Sequence, residues 1–204
     1  MRVTRAEAKA RNRRALLEAA RRIVARDGHR ARLDEITEQA GLTTGAVYSL
    51  FGSKNGLLAA LVTDHSSPHY DRIELAVPAD VDLLAAVEAV ARYYRRIGED
   101  PDALRHLSFE ISLHDTALRD PDLRAMLAAS VQEQEQRLAN LLTGRTHQGT
   151  PLTWRQARRL AGALRALLVG LVQGVALGLA EEVSEPYVTA AARALATPEV
   201  LGPP

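Results

Sequence analysis

Apolar residues return every third or fourth position along most of the chain, and that period fixes the class of fold. Between Asn12 and Asp27 they fall at Leu16, Ala20, Ile23 and Val24; between residues 80 and 98 they fall at Leu83, Val87, Val90, Tyr94 and Ile97. A helix brings such positions to one side, whereas a strand would need every second residue apolar. No segment shows a strand alternation worth naming, and no longer repeat recurs at a fixed period. Aromatic residues make up only 4% of the 204 positions, while alanine, leucine and arginine are plentiful. The expectation is an all-α protein with a core large enough for one large or two small domains.

Glycine, proline and capping residues divide this pattern into helices. Asn12–Asp27 ends at Gly28, and a short helix from Leu33 to Ala40 ends at Gly41. Thr43 is placed to cap a helix reaching about Phe51, and Ser53 to cap a fourth through Leu57, Leu58, Leu61 and Val62 to about Asp64. A loose stretch, SSPHYDRIELAVPAD, follows. Longer helices are then expected over about 80–98, 101–114, 121–143, 153–180 and 185–197, with Pro101, Pro121 and Pro186 in their first turns. THQGTP at 146–151 is an internal loop. The division into domains is expected at residues 1–62 and 63–204.

Several functions are excluded by what is missing. Without cysteine there are no disulfides or thiolate metal sites, and the six histidines show no metal-ligand spacing with carboxylates. The basic N-terminus precedes no apolar signal core. The longest uncharged run, Ala166 to Ala180, falls short of the roughly 20 residues that span a bilayer. A cytoplasmic location without membrane attachment is expected. No Ser/His/Asp set, paired carboxylates or phosphate loop points to an enzyme, and no cofactor is implied. The net charge of +1 hides an asymmetry: residues 1–56 carry 12 Lys and Arg against 6 Asp and Glu, and the remainder is acidic. A basic first quarter suits a polyanionic partner.

The segment GLTTGAVYSLFGSK, residues 41–54, gives that partner a shape. Two short helices joined by Ala40-Gly41-Leu42-Thr43 fit a helix-turn-helix, whose second helix lies in the DNA major groove. Val47, Leu50 and Phe51 would pack inward, leaving Thr44, Gly45 and Tyr48 on the open face with Thr43 at the tip. Glycine costs a helix about 1 kcal/mol against alanine, so Gly45 needs a reason. A bare position lets the helix sit close to base edges, while neighbouring hydroxyls bond bases or phosphates. Lys54, opening the next helix, can clamp the sugar–phosphate backbone as a point charge.

The stretch from about Asn12 to Val62 resembles the DNA-binding domain of the tetracycline-repressor (TetR) family of bacterial transcriptional regulators. LLEAARRIVARDG and DEITEQAGLTTGAVYSLFGSKNGLLAALV carry the likeness, through Ala40-Gly41-Leu42, Gly45, Tyr48, Phe51 and Lys54 at their spacings. The resemblance implies an N-terminal three-helix DNA-binding domain followed by a helical effector-binding and dimerisation domain. It implies phosphate contacts at Tyr48 and Lys54, base reading at Thr43, Thr44 and Gly45, and DNA contact near Thr4 and Arg5. The chain departs from the pattern in a loop after Gly28 that is one residue short. Arg32 stands where Ser or Thr would cap the second helix, His29 where an aromatic is common, and Leu50 where His or Tyr is common. With its cap lost, Arg32 is open to a phosphate contact instead.

Two further patterns occupy the second region. Gly162, Ala166, Gly170, Gly174 and Gly178 recur every four residues, a ridge suited to close approach of another helix. It serves packing within one subunit or a two-fold interface; TetR-like proteins dimerise through their last two helices, which favours the interface. Polar residues also interrupt apolar stripes: Gln134, Gln173, Tyr94, and His106 and Glu110 beside Phe109. Buried polar groups need partners, and a small-molecule effector is one kind. The resemblance implies an inducer pocket among these helices. A helix-turn-helix regulator without an effector is the competing reading.

Overall fold

The computed structural model describes residues 4–180 and 183–203. Its helices are α1 (Arg5–Asp27), α2 (Leu33–Gln39), α3 (Thr44–Phe51), α4 (Lys54–Ala76), α5 (Leu83–Gly98), α6 (Ala103–Arg119), α7 (Pro121–Leu142), α8 (Trp154–Ala176), α9 (Glu185–Arg193) and α10 (Pro198–Leu201), with a 3-10 turn at Gly28–Arg30. The chain gathers into two compact units. One holds Met1–Ser66 with Arg105–Ser130, the other Ser67–Leu104 with Val131–Pro204. Packing thus interleaves the chain rather than following a single cut near residue 62.

Within the first unit, a core forms from Leu16, Ile23 and Val24 of α1, Ile36 of α2, Val47 of α3, Leu57 and Leu61 of α4, and Phe109, Leu113 and Leu123 of α6 and α7. The second core joins Tyr70 and Ile73 of α4, Val87 and Val90 of α5, Leu138 and Leu142 of α7, Leu160, Leu164 and Leu168 of α8, and Val188 of α9. Arg137 pins α7 to α4 there, donating to Asp71 (2.7 Å) and Glu74 (2.9 Å). Arg165 of α8 donates to Glu135 of α7 at 2.8 Å.

Several boundaries differ from the sequence reading, α6 running to Arg119 and α9 ending at Arg193 among them, and four differences have a clear local reason. The first helix begins seven residues early because Thr4 and Glu7 form a capping box: Thr4 Oγ1 accepts from Glu7 N, and Glu7 accepts from Thr4 N at 2.7 Å. The expected loose stretch after Asp64 is helical: α4 continues through Pro68 to Ala76, with Tyr70 and Ile73 buried along it and Val77 buried just beyond its end. Where no strand was expected, Thr146–His147 pairs antiparallel with Thr150–Pro151. Gln148 and Gly149 both take positive φ (50° and 82°), as a two-residue hairpin turn demands. Finally, α8 stops at Ala176. Gly178 turns left-handed (φ 67°) and Leu179 N donates back to Gly174 O at 2.8 Å, so Gly178 terminates the helix instead of continuing the small-residue ridge.

The remaining ridge positions differ in their surroundings. A Cβ on Gly162 would lie 3.8 Å from the Glu135 carboxylate, and one on Gly174 would lie 3.1 Å from Ala180 Cβ. A Cβ on Gly170 would meet nothing within 4 Å, and Ala166 is exposed. Among the described residues α8 is long and apolar enough to cross a membrane by length and composition, yet only 22% of its most apolar window is buried in the single chain.

The corner between α3 and α4 is tighter than the sequence suggests. An added Cβ at Gly56 would sit 2.0 Å from the Phe51 carbonyl oxygen, well inside van der Waals contact. Gly56→Ala must therefore push the two helices apart, and we expect a loss of roughly 2–4 kcal/mol. Thermal denaturation of the full chain reads this directly; an unchanged melting temperature would mean that the corner is looser than described.

Candidate nucleic-acid interface

The first unit presents its helix-turn-helix through a glycine-centred corner. At the end of α2, Gly41 adopts φ 66° and Leu42 N donates to Thr37 O at 2.9 Å, a closure that reverses the chain in two residues. Thr37, buried at this end of α2, satisfies its hydroxyl on Asp34 O at 2.9 Å. Then α3 begins after Thr43, which holds the extended N-cap conformation (φ −94°, ψ 158°). Contrary to expectation the Thr43 hydroxyl makes no capping bond. It stays on the surface beside the free N–H groups of the first turn, an arrangement that suits an acceptor from outside the chain.

α3 is divided lengthwise. Val47 is wholly buried, with Ala46, Leu50 and Phe51 packed around it. Thr44, Gly45, Tyr48 and Ser49 are exposed, Tyr48 at 56%. The split into an inward and an open face is the one read from spacing, and Ser49, overlooked there, completes the open face. Among the described residues nothing requires Gly45 to be bare: a Cβ there would meet only Thr43 Oγ1, at an ordinary 3.7 Å. Its φ is also not among the left-handed values. The helical penalty of this glycine is therefore offset by nothing within the protein.

The other sequence-predicted contacts have internal bonds as well. Lys54, at the start of α4, donates from Nζ to Ala31 O at 2.7 Å, tying α4 to the loop before α2 and leaving two N–H bonds. Ser53 accepts from Gly56 N at 2.9 Å, as its expected capping role requires. Arg32 is the N-cap of α2 without a capping bond, in line with the missing Ser or Thr. Its guanidinium pairs with Asp34 at 2.7 Å on an exposed surface, raising the Arg32 pKa through that hydrogen bond first. Arg26 bridges Asp27 (2.6 Å) and Glu35, joining α1 to α2. Arg13 stacks its guanidinium 4.8 Å from the Phe51 ring centroid, linking α1 to the far end of α3.

The residues expected to face an effector fall in both units. His106, Phe109 and Glu110 belong to the first unit, and Phe109 is a core residue there with Arg21 over its ring at 5.6 Å. Tyr94, Gln134 and Gln173 belong to the second unit. Tyr94 is buried, its hydroxyl 3.3 Å from that of Tyr70, and burial pushes both phenols above their ordinary pKa. Gln173 shares the open face of α8 with Ala166 and Gly170 rather than pointing toward Leu164 and Leu168. Tyr94 and Arg95 with Leu168, Val172, Val175 and Val183 line a crevice too narrow to admit a water-sized molecule. Among the described residues no group of three His, Cys, Asp or Glu side chains could hold a metal ion.

Residues 16–61 match the model of the bacterial regulatory proteins of the tetR family. No curated protein sequence matches the chain. Among solved structures, Salmonella enterica GusR is similar over 98% of both chains at 17% identity, with a TM-score of 0.70. A TetR-family member from Streptomyces coelicolor A3 (SCO1917) is 23% identical, over 90% of this chain and 97% of its own, with a TM-score of 0.64. The multidrug binding protein EbrR, solved with imidazole, is likewise 23% identical, over 90% of this chain and 93% of its own, with a TM-score of 0.62. The helix-turn-helix stretch thus matches the tetR-family model, and the fold over almost the whole length is shared with these solved structures.

Proposed function

We propose that the chain acts as a homodimeric repressor. It would bind a palindromic operator through α3 and be released by a small, largely apolar effector held in the second unit. Gly45 carries the DNA part of this reading: an exposed helical glycine that no neighbour inside the protein requires. Thr43, Thr44 and Gly45 are assigned to base edges, and Tyr48, Lys54 and Arg32 to phosphates. A two-fold arrangement supplies the second α3 for the other half-site. Its surface is the uncovered side of α8, where Ala166, Gly170 and Gln173 lie in line, with Leu177 exposed just beyond the helix end. An effector acts only through its differential affinity for the DNA-competent and incompetent states.

The size of the crevice beside Tyr94 favours a second reading. The crevice leaves no space for even a water-sized molecule, whereas small-molecule sites begin at roughly 300 Å³. A regulator of the same fold without an effector accommodates that observation. Thermal shift with apolar compounds separates the two: stabilisation that also lowers operator affinity supports the effector, and a library with no such compound supports the ligand-independent regulator.

Gly45→Ala separates folding from recognition. With space for the methyl group and a better helix former, the variant should be up to about 1 kcal/mol more stable, yet bind its selected operator more weakly. Thr44→Ala should relax discrimination at one or two base pairs, at about 1–3 kcal/mol each, whereas Tyr48→Phe should weaken all duplexes alike. Fluorescence anisotropy against an operator selected from random duplexes, and its point variants, measures all three. Undiminished operator binding by Gly45→Ala would remove the main support for the reading.

Gly170→Leu tests the interface. The side chain enters open space, so the single chain should fold as before, while close approach of a second α8 is blocked. Sedimentation at low micromolar concentration should show monomers. A dimer as stable as the unsubstituted one would place the interface elsewhere.

A further inference from the structure

Two charges of opposite sign line one cavity of the second unit without meeting. The cavity, of about 470 Å³, lies between the loop joining α4 to α5, at Asp80 to Asp82, and the turn from Thr143 to Thr146 that follows α7. It shares no lining residue with the crevice beside Tyr94. Its volume is within the range of small-molecule sites, which begin at roughly 300 Å³.

Local backbone geometry fixes the cation. Gly144 takes φ 77° as α7 ends, and its N–H donates to Leu152 O at 2.9 Å, while Leu152 N donates to Arg145 O at 3.0 Å. Arg145 is thereby held at the base of the hairpin at 146–151. Its guanidinium spans the two loops, Nε donating to Leu141 O and Nη1 to Val81 O, both at 2.7 Å. That tie uses two of five N–H bonds, and among the described residues the other three have no acceptor. Burial pushes the guanidinium below its ordinary pKa, and the charge of Asp80 offsets this only in part.

Other arginines of this unit end on carboxylates: Arg137 on Asp71 and Glu74, and Arg165 on Glu135. Arg145 ends on carbonyls, which leave a partly desolvated charge without a counter-ion. Asp80 lines the same cavity and forms no ion pair with it. Among the described residues the exposed Asp80 carboxylate has no hydrogen-bond partner at all. Asp82 is committed elsewhere, capping α5 by accepting from Ala85 N at 2.8 Å. The Thr143 hydroxyl donates to Ala139 O at 2.7 Å, so toward the cavity it offers only an acceptor.

We propose that this cavity binds a small zwitterion of the α-amino acid class, its carboxylate on the free N–H bonds of Arg145 and its ammonium on Asp80. A plain anion would face Asp80 and Asp82, and a plain cation would face Arg145; a ligand carrying both charges meets neither repulsion. The site is independent of α3, of operator binding and of the effector assigned above.

Calorimetric titration of the full chain with each of the proteinogenic α-amino acids tests this. At least one should bind saturably, and its deaminated and decarboxylated analogues should each bind at least about tenfold more weakly. Arg145→Gln would also cut the tie between the two loops, so the decisive variant is Asp80→Asn, which breaks no bond within the chain. It should keep the melting temperature and reduce the amino acid to the affinity of its deaminated analogue. No binding by any amino acid at millimolar concentration would overturn the inference. So would a deaminated acid, an amine or glycerol binding as tightly as the amino acid, or an Asp80→Asn variant whose affinity is unchanged.

Discussion

Val47 decides which way the protein faces its target. It is completely excluded from solvent beneath α3, and the hydrophobic gain from burying such a side chain, roughly 1.5–3 kcal/mol, is lost if the helix rolls. With Val47 down, Thr44, Gly45, Tyr48 and Ser49 must point out. The helix is then held at both ends: by the left-handed Gly41 corner at its start, and at its finish by the Phe51 carbonyl lying close over Gly56. The Lys54 bond to Ala31 ties the next helix to the loop before α2, closing the frame. Eight residues of helix are too few to be stable in water alone. Their shape comes from this frame, and so does their usefulness as a rigid probe of a groove.

The second unit is built on the opposite principle. Its core is well filled by α5, α7, α8 and α9, and arginines join its elements through carboxylates and carbonyls. Yet α8 keeps one side, with Ala166 and Gly170, exposed outside that core. Small residues on that surface suit another helix better than a loose ligand, because they let backbones meet. The same unit offers a small molecule little room beside Tyr94, so an effector of ordinary size would have to open the crevice it enters.

The open and buried faces of α3 were legible from spacing alone, since Val47, Leu50 and Phe51 can share a side only if Thr44, Gly45 and Tyr48 share the other. Helix ends were less so. The Thr4–Glu7 capping box was present in the sequence, but a weak apolar pattern over residues 5–15 hid the helix it starts. Pro68 and the serines before it read as a break, whereas the buried Tyr70 and Ile73 carry α4 onward. Gly178 fitted a four-residue ladder until the backbone turned left-handed there. The effector residues were the least legible. Each sits in an apolar stripe, but stripes on different helices face different cores, and nothing local tells Phe109 from Tyr94. Gly56 shows the same limit, since its need for space comes from a carbonyl five residues earlier.

The open face of α3 can be located against DNA without relying on affinity. A photo-crosslinking phenylalanine analogue at Tyr48 can be compared with the same analogue at Tyr187, which is equally exposed (56% and 54%) but lies on α9. Irradiation with the selected operator should join position 48 to the duplex and leave position 187 free of it. DNA captured at 187 and not at 48 would contradict the account.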